Sequence, residues 1–505
     1  MNLTQYKTIE HYELKDVVAR KIKIQTDLAA SKLKYIYINQ EKRCAYVSTS
    51  PKDLLDSNYV KKPLIISNLG VSFLLQSSVI PFPYTIYKNL YCIGIGDTFE
   101  LYVEGNQIKY KHCHKFPFFN KNRGINGYTE AKYEEIILLL SKSVSEFNNI
   151  NNKKYLFLSA GKDSMSLALA IATAGYQKEV ECITYKAPRE QDESSIVQAI
   201  TNKLGLKHRI IELPKKIEKN HVQSIELFFY ESPFPCLDNA ILAYPIYAGL
   251  LDLESSTVID GMGNDVYIGH IPTSKEYNRQ KYLSSLSKFK KFSSNLSYSN
   301  FLLELFKYRV ELVGISGLQF NVAKRLFNKS IDVNEYWCNE EKKKQDWDYL
   351  DLRADTRGCV LDQLVMMNKI RFSSMVYNFD VEFPWTNDDV AKYFYNMPET
   401  VLFDRKHLKN KIILRMLLIE KLNLNSDLIG KKGYRFDYYL LLDQMRQNVL
   451  NEIKSCKLWT MEINDFVKRI NYMSQVSNRE GKIAKGLLYK LFLISAWYNN
   501  CKYLR

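Results

Sequence analysis

No apolar run in the sequence reaches the roughly 18 residues that a membrane-spanning helix requires. The first residues, MNLTQYKTIEHYELKD, also lack the apolar core of a secretory leader. Neither a membrane span nor a leader is therefore expected. Nine cysteines stand singly at 44, 92, 113, 182, 236, 338, 359, 456 and 501, with no C-x-x-C pair among them. Their spacing excludes a zinc ribbon, argues against a disulfide framework, and suits a reducing cytoplasm. The Walker pattern G-x-x-x-x-G-K-[ST] is missing, so any phosphate loop is of another kind. Internal repeats and low-complexity tracts are missing as well. Acid is the scarcer charge, with 55 Asp and Glu against 71 Lys and Arg, for a net charge of +16. That balance suits nucleic acid, an anionic membrane surface, or acidic and phosphorylated ligands. No nucleic-acid motif accompanies it, and runs such as KFKKF (288–292) and EEKKKQ (340–345) read equally as solvated helix faces.

What is present is a mixed globular pattern, 46% hydrophobic over 505 residues, enough for two or three domains. Residues 1–118 read as short strands between turns: KYIYINQ, CAYVSTS, LIISNL, TIYKNLYCIGIG and FELYVEG. In KHCHKF, His112 and His114 fall on one strand face, and a metal site there would need further ligands. The polar segment FFNKNRGINGYTE (118–130) is the candidate linker. Strand and helix then alternate. Strands are expected at 155–158, 180–185, 208–213 and 256–260, with helices near 130–148, 164–176, 193–204 and 239–253. Such alternation predicts a parallel, doubly wound α/β sheet, whose ligands bind beyond the carboxyl ends of its strands. From 271 onward the pattern is largely helical. VEFPWTNDDVAKYFYNMP should break one helix at Pro384 and start another after Asn387, and residues 407–422 read as one amphipathic helix.

Two segments sit where that sheet would bind a ligand. YLFLSAGKDSMSLALA (155–170) runs from an apolar strand through Ser159, Ala160, Gly161, Lys162, Asp163 and Ser164 straight into a helix. Small residues allow close backbone approach, the helix start favours an anion, and a carboxylate can hold a cation beside phosphate. DGMGNDVYIGH (260–270) supplies Asp260, Gly261, Gly263 and a second carboxylate, Asp265. Either segment alone reads as an ordinary strand–turn–helix corner. Together, Asp163 and Asp265 are what an Mg2+–pyrophosphate complex would need.

These pieces resemble the asparagine synthetase family of N-type ATP pyrophosphatases, in its branch of β-lactam synthetases and lasso-peptide cyclases. The family loop S-G-G-x-D-S matches Ser159–Ser164 with Ala160 at the first glycine. Its second loop, S-G-x-G-x-D-E-x-x-G-G-Y, is similar to 260–270, with Asp260 for the serine and Val266 for the glutamate. EFPWTN (382–387) resembles R-x-P-F-L-D, Lys411–Arg415 resembles K-x-x-L-R, and GKKGY (430–434) resembles R-K-K-x-G-F. The resemblance implies an adenine-nucleotide sheet with a helical C-terminal part over 125–505, including a helical insertion at 271–350 and a helical tail at 440–505. A small β-rich, degenerate amidotransferase-like domain (1–120) would precede it.

The resemblance further implies an AMP-forming ligase using ATP and Mg2+, which adenylates a carboxylate and passes it to a nitrogen nucleophile. Ser159, Ala160, Gly161, Lys162, Asp163 and Ser164 would cradle pyrophosphate, with Lys162 either touching phosphate or facing solvent. Asp163 and Asp265 would hold Mg2+, Asp260 and Gly261 would lie at the nucleotide, and Lys432 would stabilise developing charge. Position 2 is Asn2 rather than cysteine, so glutamine is not the expected nitrogen source. The β-rich part then serves for structure or for binding a protein partner. Val266 removes an acid near the reacting carbonyl, and Glu231, Asp238 or a tyrosine would have to replace it. Asp238 reads equally as a helix N-cap. Two alternatives stand beside the ligase. One is a base- or tRNA-modifying pyrophosphatase resembling 7-cyano-7-deazaguanine synthase. The other is a catalytically inactive nucleotide-binding relative.

Overall fold

The computed structural model describes residues 9–14, 21–123, 132–146, 152–186, 193–269, 272–283, 307–429 and 436–505. In the N-terminal part, β1 (Glu10–Glu13), β3 (Lys34–Asn39), β4 (Cys44–Ser48) and β5 (Leu90–Ile93) form an antiparallel sheet in the order β1-β4-β3-β5. A second antiparallel sheet has the order β2-β6-β7, from Ile22–Gln25, Asp97–Glu104 and Gln107–His114. Strand alternation explains how they pack. Ile36 and Ile38 join Val47, Phe99, Leu101 and Ile108 in a core between the sheets, while Tyr35 and Tyr37 turn to the larger core of the remaining chain. Helix α1 (Pro51–Asp56) follows β4. LIISNL is not a strand: Ser67 caps α2 (Asn68–Ser77) by accepting from the Gly70 amide, and Ile66 keeps only an isolated bridge to Tyr87. A capping serine ahead of a run that can bury one helical face outweighed local β propensity.

After α3 (Tyr133–Ser145), five parallel strands form one sheet in the order β10-β9-β8-β11-β12. They are β8 (Lys154–Phe157), β9 (Val180–Lys186), β10 (Lys207–Glu212), β11 (Thr257–Ile259) and β12 (Asp380–Glu382). Crossover helices α4 (Lys162–Thr173) and α5 (Ser194–Leu204) carry the chain outward from β8, and Gly205 closes α5 in the left-handed region at φ +68°. Helices α6 (Lys219–Glu231) and α7 (Ala243–Leu250) bring it back to β11, on the other side of β8. The strand order therefore reverses between β8 and β11, the point where open α/β sheets bind ligands.

The edge strand β12 has no signal of its own in the sequence, because three residues are too few to show a period. Pro384 consequently follows a strand instead of breaking a helix, and opens a short 3₁₀ turn, Pro384–Thr386. Asn387 caps the next helix, Asp388–Tyr395, as expected. The tail ends in the long helix Arg479–Asn500, which returns to the N-terminal part where the Leu64 amide donates to the Tyr503 carbonyl at 2.9 Å. Among the described residues no helix is long and apolar enough to cross a membrane.

Candidate functional site

The loops after β8 and β11 meet because their strands are neighbours, with Val258 opposite Tyr155 and Ile259 opposite Leu156. Gly161 stands at the N-cap of α4, and the Ser164 hydroxyl donates to the Ser159 carbonyl at 3.0 Å, folding the loop over the helix start. Gly261 lies against this turn. A Cβ there would stand 3.0 Å from the Ser164 amide nitrogen and 3.2 Å from its Cα, so the close approach of the loops requires glycine.

Around them is a cavity of about 210 Å3 lined by Ser159, Gly161, Asp163, Ser164, Asp260 and Asp265, among others. Ala160 and Lys162 are buried beneath the loop, so Lys162 does not point to solvent. Lys432 lies outside the described residues.

The carboxylates are joined by a side chain whose place in the motif alone did not reveal its role. Lys411 is 1% exposed, and its ammonium lies 2.7 Å from Asp163 Oδ1 and 2.8 Å from Asp265 Oδ1. It also donates to Asn264 Oδ1 at 2.7 Å, while Asn264 Nδ2 donates to Asp163 Oδ1 at 2.7 Å. Residues 407–422 are not one helix. Helix Ile412–Leu422 begins after Lys411, whose φ of +56° at the N-cap turns it away from the helical path. Burial pulls the Lys411 ammonium towards neutrality, but the two carboxylates outweigh it and keep it charged. Trp385 Nε1 donates to the Asp163 carbonyl at 3.2 Å, tying the segment after β12 to the same loop.

Asp260 accepts from the Met262 amide at 3.0 Å, and burial pushes its carboxyl up to about 6, only partly offset by the Lys369 ammonium. Lys369 also lines the cavity and lies 3.7 Å from Asp238. Asp238 accepts from the Ala240 amide at 2.8 Å, and α7 starts only at Ala243, so Asp238 closes a turn and is not a helix cap. Glu231 sits elsewhere, between Lys52 at 3.1 Å and Lys502 at 2.9 Å. It is a structural ion pair and not a replacement acid. Asp362 and Gln363 do line the cavity, on the π-helix Ala354–Met367 that covers it. π-helical turns are rare and are frequently found at functional sites.

Val266, 3% exposed, packs against that π-helix. A Cβ on Gly358 would lie 2.5 Å from Val266 Cγ1 and 3.2 Å from Val266 Cα. Gly358→Ala should therefore cost about 1–3 kcal/mol through overpacking. Urea unfolding would read this directly, and an unchanged midpoint would show that the helix has room to move.

The donor set can be tested against Mg2+. Asp163, Asp265, Asp260 and the Ser159 hydroxyl offer only oxygen, as that ion prefers. Among the described residues, no group of three His, Cys, Asp or Glu side chains is arranged to hold a metal by itself. The oxygen donors therefore fit an Mg2+ that takes two carboxylates and completes its shell from phosphate and water, provided that the Lys411 ammonium, 2.7 Å from Asp163 and 2.8 Å from Asp265, gives up its place between them. A cage made by protein alone is not present among those residues.

No protein-family model matches this chain, and no curated protein matches it. Among solved structures, it is similar to a glutamine-dependent NAD+ synthetase from Acinetobacter baumannii, in complex with adenosine diphosphate (ADP). The sequences are 13% identical, the TM-score is 0.20, and the match covers 74% of this chain and 58% of that one. A likeness so slight assigns neither fold nor activity.

Asn264, Gly358, Asp362, Lys369 and Lys411 are the site residues that sequence reasoning missed or left without a role. Asn264 stands directly before Asp265, and Lys411 stands directly before the apolar first turn of the helix Ile412–Leu422. Those were the only local signals.

Proposed function

We propose that this chain is an ATP-dependent ligase that adenylates a carboxylate, releases pyrophosphate, and passes the acyl group to a nitrogen nucleophile. The observation supporting this most is the meeting of the two loops at the sheet's switch point, with Asp163 and Asp265 clasped across it. Ser159, Gly161 and Ser164 would receive phosphate oxygens through hydroxyl and amide donors at the start of α4. Asp163 and Asp265 would hold Mg2+, which when bound neutralises phosphate charge. Lys369 places a further cation at the cavity wall, where charge builds on the α-phosphate, Lys411 stands behind the two carboxylates, and Lys432 is proposed to act with them. Asp362 is the carboxylate positioned to accept a proton from the attacking nitrogen where Val266 cannot. The substrate is a small-molecule or peptide carboxylate, and the β-rich segment is a structural or partner-binding domain without glutaminase activity.

One observation favours a second reading. Lys411 already neutralises both carboxylates, as expected of a nucleotide-binding relative that no longer turns over.

Calorimetric titration of Mg-ATP separates these readings from no nucleotide function at all. Micromolar binding that requires Mg2+, and weakens at least tenfold in both Asp163→Asn and Asp265→Asn, supports the site. AMP release with a panel of carboxylates then distinguishes ligase from relative. Catalysis should fall roughly 100-fold or more in either variant. Absent nucleotide binding, with and without candidate carboxylates, would overturn both.

A further inference from the structure

A larger cleft lies on the other side of the π-helix. It encloses about 1280 Å3 between the β6–β7 hairpin, the segment around Tyr336–Trp347 and the π-helix. That volume exceeds the roughly 300–1,000 Å3 of ordinary small-ligand pockets. Asp355, Thr356, Cys359 and Val360 face it, whereas Gly358, Asp362, Gln363 and Met366 of the same helix line the loop cavity. The two spaces share one wall but have separate linings.

The floor of the cleft is a hydrogen-bonded row. His112 Nε2 and His114 Nδ1 each lie 2.9 Å from Asp97 Oδ1, and His114 Nε2 lies 2.7 Å from Asp355 Oδ1. The Lys344 ammonium lies 2.5 Å from Asp355 Oδ2. These contacts answer the question the two histidines raised. Their neighbours are carboxylates, and the buried acids are already neutralised by cations. Lys115 and Lys121, both exposed at the rim, form no ion pair among the described residues. Glu340, the remaining acid of the cleft, is paired with Lys343 at 2.7 Å.

One polar group waits for a partner. The Thr356 hydroxyl, on a residue 2% exposed, has no hydrogen-bond partner among the described residues, and Thr356 lines this cleft. Buried hydroxyls are almost always satisfied, so its partner should be something the cleft takes up. The walls are aromatic. Trp347 lies 5.1 Å from Phe119, itself 40% exposed, and the Lys344 ammonium stands 5.9 Å over the Trp347 ring. An exposed ring against a half-buried indole, in a cleft that also holds lysines without ion pairs, suits a planar ligand that carries negative charge.

We propose that this cleft is a second ligand site, distinct from the loop cavity, for an anion bearing a flat aromatic ring. The ring stacks in the Phe119–Trp347 wall, Lys115 and Lys121 meet the charge, and Thr356 donates to a ligand oxygen. A nucleotide and an aryl carboxylate share this chemistry.

The probe is 1-naphthyl phosphate, titrated calorimetrically into the full chain beside 1-naphthol and inorganic phosphate. Micromolar binding is expected for the aryl phosphate, and at least tenfold weaker binding for each half alone. The double variant Lys115→Glu/Lys121→Glu, at exposed positions that leave the core intact, should weaken binding tenfold or more. Thr356→Val should weaken it roughly fivefold to tenfold by removing one donor. Asp163→Asn should leave it unchanged while weakening Mg-ATP binding at least tenfold, which separates this proposal from the ligase reading. Displacement of the probe by AMP in Asp163→Asn assigns a nucleotide, and displacement by 1-naphthoate alone assigns an aryl acid. Binding weaker than millimolar, binding indifferent to the lysine reversal, or binding lost in Asp163→Asn would each overturn the proposal.

Discussion

Lys411→Met is expected to destabilise the protein by about 3 kcal/mol or more, because it leaves two carboxylates facing each other across a loop without their shared cation. The side chain is 1% exposed, and its ammonium reaches Asp163 at 2.7 Å, Asp265 at 2.8 Å and Asn264 at 2.7 Å. The two carboxylates are only 20% and 22% exposed, so water compensates them incompletely, whereas methionine fills much the same volume. The loss is therefore electrostatic rather than a cavity effect. Urea unfolding at neutral pH checks the magnitude. Millimolar Mg2+ should restore part of the loss in Lys411→Met and add little to the unaltered protein, since a divalent ion can then take the vacated place between the acids. A variant as stable as the parent would mean that the carboxylates are held apart by the backbone alone. A destabilised variant indifferent to Mg2+ would count against Asp163 and Asp265 as metal ligands.

The second large effect is a loss of stability on the alkaline side. Burial alone would depress the His114 imidazole, but Asp355 and Asp97 on its two nitrogens outweigh burial and raise it to about 10. A group whose pKa is raised by folding contributes stability that is fully present below its unfolded value, near 6.5, and lost as pH climbs through about 10. Over that window the native state keeps a proton that the unfolded chain has released. Stability should fall by about 1.4 kcal/mol per pH unit from this residue. Asp355 works in the opposite direction. Lys344 and His114 lower its carboxyl to about 2 despite burial, so its contribution is present above about 4 and lost only towards pH 2. Unfolding free energies measured from pH 5 to pH 10, for the parent and for His114→Asn, isolate the residue by difference. The alkaline decline should be markedly flatter in His114→Asn. Parallel curves would show that His114 is neutral in the folded protein.

The strand–helix alternation after residue 150 was legible because each crossover helix carries its own stop. Gly175 and Gly205 both adopt positive φ, at +84° and +68°. The tight turn from β8 into α4 was legible for a related reason: small residues stand between an apolar strand and an apolar helix. The short β8 and β11 were legible because apolar runs mark them, but β12 and two still shorter strands were not. β12 pairs with β11 through three residues, and the two-residue strands at Phe403–Asp404 and Lys409–Asn410 displace the start of the helix that follows. No period can be read over so short a span.

By itself, the sequence determined a parallel α/β sheet, the two loops at its carboxyl edge, and the pair of acids they carry. Such features are local, because strand period, helix stops and glycine positions act within a dozen residues. Only the tertiary structure decided what the acids face. Lys411 lies 248 residues beyond Asp163, and His114 stands 241 residues before Asp355. Contacts over such separations depend on which strands neighbour one another and where each helix begins. A buried charge settles wherever those choices bring it an opposite charge.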